Sequence, residues 1–212
     1  MTVSTSAPHS PSATTRFLAL AALCAAALGI LYFLRPDSPT VTVPESLRSI
    51  ADQIVRIVDV TAVLTATAAL AAVSMIRTLP YGIGAILMLG VGANLTSAAL
   101  GSWLTDAPTA LLPSGHVVAA AALYGSAVLI SAPRWRPVIV GLGISGVAAV
   151  AVSVVATEMS GIFGVVAGLL IAAAWGCVAA ILMEHSPVAA KREAARPDTA
   201  AIAFSRDRSI HL

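Results

Sequence analysis

The chain has 212 residues, 58% of them hydrophobic and only 10% charged, with a mean hydropathy of +0.92 and a formal net charge of +2 at pH 7. Soluble domains carry roughly half apolar and a quarter charged residues, so this balance excludes an ordinary soluble globular protein and points to one integral membrane domain of helices. So small a net charge leaves no footprint for nucleic acid.

In chain order, residues 1–15, MTVSTSAPHSPSATT, are rich in Ser, Thr, Pro and Ala and show no periodicity. They bury too little apolar surface to offset ordering entropy, which predicts a disordered tail over 1–16. Arg16 opens FLALAALCAAALGILYFL (17–34), long enough to cross a hydrocarbon core of about 30 Å at 1.5 Å per residue. Leu23 precedes Cys24 where a lipoprotein signal needs a small residue, and no cleavage site follows, so the run reads as a retained span. Further apolar runs follow at roughly 57–76, 81–101, 116–132, 137–156 and 162–183, each bounded by charge, proline or a polar turn. The expected fold is all-α: a six-span helical bundle over 17–183, then a basic disordered tail over 184–212. Cys24 and Cys177 both fall inside apolar runs without a CxxC or Cys/His neighbourhood and read as small hydrophobes. No metal site and no cofactor is expected.

Between the first two runs lies PESLRSIADQIVRIVDV (44–60). Leu47, Ile50, Ile54 and Ile57 make an apolar stripe at helical spacing, and Arg48, Asp52 and Arg56 fall opposite as i,i+4 neighbours. The pattern predicts an amphipathic helix lying on the outer leaflet. Its charges either pair with one another or lend Arg48 or Arg56 to an outward pocket. Orientation follows from the basic residues. With both termini cytoplasmic, the inner side holds nine (Arg16, Arg77, Arg134, Arg136, Lys191, Arg192, Arg196, Arg206, Arg208) and the outer side three (Arg35, Arg48, Arg56). Tyr32 and Trp103 then mark the outer interface, and Tyr81 and Trp135 the inner one, in the plasma membrane.

Two motif matches carry no chemistry. GLGISG (141–146) fits G-x-G-x-x-G but lies inside an apolar run, without the strand, helix start and later acid that a dinucleotide site requires. Small residues at that spacing, like Gly164 and Gly168, serve close helix packing in lipid. Asn94-Leu95-Thr96 matches a glycosylation acceptor inside the third run. His9, His185 and His211 lie in the tails.

Pro113-Ser114-Gly115-His116 stands at the outward mouth of the fourth run. Ser114 is a good N-cap, and the helix start behind it carries unpaired N–H groups and positive dipole character. Gly115 admits a ligand close to the backbone, and His116 adds a titratable donor. Together Ser114, Gly115 and His116 form a corner suited to phosphate, or a plain helix cap.

These four residues resemble the second signature of the type 2 phosphatidic acid phosphatase and haloperoxidase superfamily. Its membrane members have six spans, and they carry Pro-Ser-Gly-His at the outer start of the fourth. SVVATEMSGIFGVVAG (153–168) fits the frame of the third signature: Ser153 matches its serine and Ala167-Gly168 its trailing pair. The chemistry in that frame is changed. Val154 stands at the phosphate-binding arginine, Ser160 at the nucleophilic histidine and Gly164 at its orienting aspartate. Upstream, Pro108 is the one proline candidate for the first signature, which puts Ala107 and Leu100 at its arginine and lysine. Phosphoryl transfer depends on positioning and on cations that stabilise the equatorial oxygens.

The resemblance therefore implies a divergent lipid-phosphate phosphatase-like protein. Its outward cleft would bind a phosphorylated polyprenyl or glycerolipid with little or no hydrolysis. Ser160 and His116 remain as a conceivable Ser–His pair for a rearranged active phosphatase, with Glu158 and Asp106 as nearby acids. A non-catalytic assembly subunit that engages membrane proteins and lipids is the other alternative.

Overall fold

The computed structural model describes residues 13–34, 43–57, 60–76, 80–104 and 111–185. Most of both expected tails, Arg77, and Asp106, Ala107 and Pro108 lie outside the described residues. Among those residues the chain is entirely helical, with seven helices and no strand: α1 (Ala13–Leu34), α2 (Glu45–Ile57), α3 (Val60–Ile76), α4 (Pro80–Trp103), α5 (Gly115–Ile130), α6 (Arg136–Ala156) and α7 (Ile162–Glu184). Each apolar run forms one helix, and the amphipathic stretch forms α2. By length and composition α1, α4, α6 and α7 suffice to cross a membrane, and α2 with α3 pass the same test as a bent pair. With 16 residues, α5 is about 24 Å long at 1.5 Å per residue, shorter than the hydrocarbon core.

At the centre lies α7, which packs against α1, α4 and α5. α1 runs antiparallel to it, and at their common end Thr14 Oγ1 donates to Glu184 Oε2 at 3.1 Å. The tightest core joins Ala85, Leu89 and Ala93 of α4, Val118 and Ala122 of α5, and Ile171 and Ala179 of α7. Small residues set the approach distances, as expected where apolar surroundings give helices no hydrophobic drive to associate. A Cβ on Gly92 would lie 2.7 Å from the Trp175 ring. That ring is fixed, because its Nε1–H donates to Thr96 Oγ1 at 3.0 Å. Within GLGISG, Gly143 and Gly146 receive Tyr124 of α5, and a Cβ on Gly146 would stand 2.6 Å from the phenol oxygen. Those glycines are packing positions. Asn94 lies within α4 and donates to Gly90 O at 2.7 Å.

On α2 most of the apolar stripe is turned away from the other helices. Leu47, Ile50 and Ile57 of the apolar stripe are exposed, whereas Ala51 and Val55 are buried. Val55 joins Val117, Val150, Val154 and Val165 in a second core cluster, and α6 is the helix against which α2 packs. Residues 48, 51 and 55 follow i, i+3, i+7 spacing and share one side. The helix thus meets the bundle along the seam between its polar and apolar faces. Ile54 of the stripe also packs against that second cluster.

Candidate functional site

The backbone before α5 is fastened to the α6–α7 region by three contacts. The Ser114 N–H donates to Gly164 O at 3.1 Å. Ser160 Oγ donates to Leu112 O at 3.2 Å. Gly168 lies directly beneath, where an added Cβ would come within 3.2 Å of Ser114 O. Ser114 O in turn accepts from Val118 N–H at 3.0 Å, the first turn of α5. Pro113 has no N–H to satisfy, so the segment reaches α5 with its polar backbone largely committed to α7 and to itself.

Ser114 occupies the N-cap position with extended backbone (φ −72°, ψ 110°), but its hydroxyl makes no capping hydrogen bond. The N–H groups of the first turn therefore keep the unpaired character that makes a helix start attractive to anions. Ser114 is buried, Gly115 exposed and His116 half-buried.

Two residues along a helix correspond to about 200° of rotation, so Ser114 and His116 face opposite ways. Ser114 meets α7. His116 meets a groove of about 630 Å³ between α3, α4 and α5, which also takes in Gly115, Ala119 and Leu123 of α5, and Val91 and Asn94 of α4. The walls are mostly apolar. Thr67 and Asn94 line it but donate to their own helices, to Val63 O and Gly90 O, each at 2.7 Å. The His116 ring makes no hydrogen bond among the described residues, which leaves it as the polar group at the α5-start end of the groove.

The remaining expected positions lie on the other side of α5. Val154, at the position matched to a phosphate-binding arginine, has no exposed surface and packs within the valine cluster. Ser153 is buried and donates to Ala149 O at 2.8 Å. Leu100 rests against the central core. Ser160 is buried beneath Leu112. The positions matched to the second and third signatures are thus brought together through backbone contacts, whereas His116 and Ser160 are directed to different surroundings.

One ion pair crosses this end of the bundle: Arg48 Nη2 of α2 lies 2.8 Å from Glu158 Oε1, with both side chains partly exposed. Glu158 closes α6 in a Schellman arrangement. Its N–H donates to Val155 O and that of Met159 to Val154 O, each at 3.1 Å. Such a closure puts the intervening residue in the left-handed region that glycine favours, and Glu158 has φ 58°. Of the two cations that α2 could have lent to an outward pocket, Arg48 is thus paired with the acid at the end of α6. No spacing rule links residues 48 and 158 in the sequence. The groove had a faint sequence signal in Gly90, Ala98, Ala119 and Ala122, which supply little side-chain volume along one side of α4 and α5.

Comparisons with family models, with curated proteins and with solved structures give no match. The superfamily resemblance rests on Pro113–His116, the expected span count and the register of 153–168.

Proposed function

We propose that the protein binds a phosphorylated lipid, polyprenyl or glycerolipid, with its chain in the α3–α4–α5 groove and its phosphate at the start of α5, and that it does so without efficient hydrolysis. The observation that carries the proposal is the groove itself: a long apolar trough whose α5-start end holds His116, Gly115 and an uncapped helix start. Hydrocarbon gains little by moving from bilayer to an apolar groove, since lipid tails are as apolar as leucine. Selectivity must therefore come from the head, where the helix start and His116 supply donors.

Weak turnover is supported by two features. The Ser160 hydroxyl is committed to a backbone carbonyl on the far side of α5 from the groove, so no Ser–His pair is assembled. The position matched to the phosphate-binding arginine lies in a valine cluster that no cation enters. Both features favour a binding protein over a rearranged phosphatase.

In the accompanying topology α1 and α3 to α7 make six spans, α2 rests on the outer face, and both termini are cytoplasmic in the plasma membrane, on the strength of the nine-to-three division of basic residues. The decisive experiment measures thermal stabilisation of the detergent-solubilised full chain by undecaprenyl phosphate or phosphatidic acid, against undecaprenol and diacylglycerol. Stabilisation by the phosphorylated lipids alone, lost in His116→Ala, with phosphate release near background, is the expected result. Equal stabilisation by the dephosphorylated lipids defeats the proposal. So does steady phosphate release abolished by Ser160→Ala.

A further inference from the structure

At the other end of α5 a second cavity, of about 530 Å³, opens between α3, the end of α5, the 131–135 turn and the start of α6. Leu70 and Val73 of α3, Ile130 of α5 and Ile139 of α6 form its walls, and Arg134 and Trp135 stand with them. We propose that this cavity holds one anionic phospholipid: an acyl chain lies along Leu70, Val73 and Ile139, and the headgroup phosphate sits at Arg134. The site is independent of the one at the start of α5, and its failure would leave that one untouched.

Charge supplies the first argument. Among the described residues Arg134 forms no ion pair and no carboxylate lines the cavity. Its guanidinium lies 5.9 Å from the centroid of the Trp135 ring, within cation–π range. Arg136 follows at the start of α6, with proline in the first turn. The positive end of the α6 dipole therefore meets the same turn. The opposing negative end of α5 is blunted, because Ser131 donates to Val128 O twice, from N–H at 3.3 Å and from Oγ at 2.8 Å. Shape supplies the second argument. The walls are branched aliphatics from three helices, while Trp135 and Arg134 are exposed, the arrangement of an amphipathic interface where headgroups meet chains. A soluble anion would use Arg134 and leave the apolar walls unoccupied; a zwitterionic lipid would fill the walls but bring its own cation to Arg134. An anionic phospholipid satisfies both.

The test uses the full chain in mixed micelles, with phosphatidylglycerol or phosphatidylcholine brominated on an acyl chain. The Trp135 contribution to quenching is taken as the difference between wild type and Trp135→Phe. Phosphatidylglycerol is expected to quench Trp135 at roughly one fifth of the mole fraction that phosphatidylcholine needs, the factor for one basic residue near an anionic headgroup. Arg134→Gln should erase that preference and Arg134→Lys should keep most of it. Inorganic phosphate at the same concentration should leave the signal in place. Native mass spectrometry should retain one phosphatidylglycerol per wild-type chain and none on Arg134→Gln. Equal quenching by the two lipids, an unchanged preference in Arg134→Gln, displacement by inorganic phosphate, or equal lipid retention by wild type and Arg134→Gln would each overturn the proposal.

Discussion

The two sides of α5 are built from similar residues and end up in opposite states. On one side Ser114, Val117 and Val118 are buried against α7 and α6, with Gly168 close enough that a methyl group would press on Ser114 O. On the other, Gly115, His116, Ala119 and Leu123 border the open groove. Both sides are rich in alanine, valine and glycine. The difference lies in the partner: α7 presents glycine where α5 needs room, whereas α3 stands off and α4 offers Gly90 and Val91 without filling the gap. Small residues close a helix pair only when the opposing backbone comes to meet them. Otherwise they leave a cavity.

That contrast can be broken most severely at Val154. An arginine there would bury a charge without a partner, so Val154→Arg should cost more than about 4 kcal/mol and prevent recovery of folded protein in detergent. Recovery of a stable Val154→Arg protein would mean that the valine cluster opens to water and that the phosphate-binding position is only dormant. Next in size is Gly168→Val. Overpacking against Ser114 O should destabilise by about 1–3 kcal/mol, read as a melting temperature lowered by several degrees.

The open side should respond in the reverse sense. Ala119→Leu and Leu123→Ala should each alter stability by less than about 0.5 kcal/mol, as ordinary surface changes do. Ala119→Leu should nonetheless remove most of the thermal protection given by phosphatidic acid, because it fills the trough. A large loss of stability in Ala119→Leu would show that the groove closes in solution. The smallest effects belong to the α2 attachment. Arg48→Gln should cost no more than about 1 kcal/mol, the range of exposed ion pairs. Glu158→Gly loses the same pair but relieves the left-handed backbone, a gain of similar size. Its melting temperature should therefore lie at or slightly above that of Arg48→Gln.

The helices themselves were legible because hydropathy reports them directly: every apolar run became a helix, and the i, i+3, i+4 pattern of 47–57 became α2. The sequence turned the stripe of α2 away from the bundle, and Leu47, Ile50 and Ile57 are exposed. That Ala51, Ile54 and Val55 would meet the bundle was not legible, because the stripe gives no sign of which flank α6 reaches. At the site, 153–168 does lie beside the segment before α5, through Ser114–Gly164 and Ser160–Leu112, but not by the Ser160–His116 approach that its register allowed. The separation of His116 from Ser160 follows from helix geometry once Ser114 is fastened to α7. Residues 114 and 116 cannot both face α7 on one helix. The groove was beyond reach because its volume depends on where α3 stands, and α3 is apolar all round.

The pairing of α1 with α7 has a consequence for biosynthesis. Of the described helices α1 is made well before α7 and rests chiefly on it, and only Cys24 among its residues is buried. At about 5–20 residues per second, about 8–30 seconds separate the completion of α1 at Leu34 from that of α7 at Glu184. Throughout that interval α1 has no α7 to lie against, and α4 and α5 lack the same central neighbour. A nascent chain stalled before residue 162 therefore holds every helix except the one on which three others converge. Closure of the central core is therefore a late event, timed by the synthesis of α7, and a chain stopped just before residue 162 should lack the core that Ile171 and Ala179 complete.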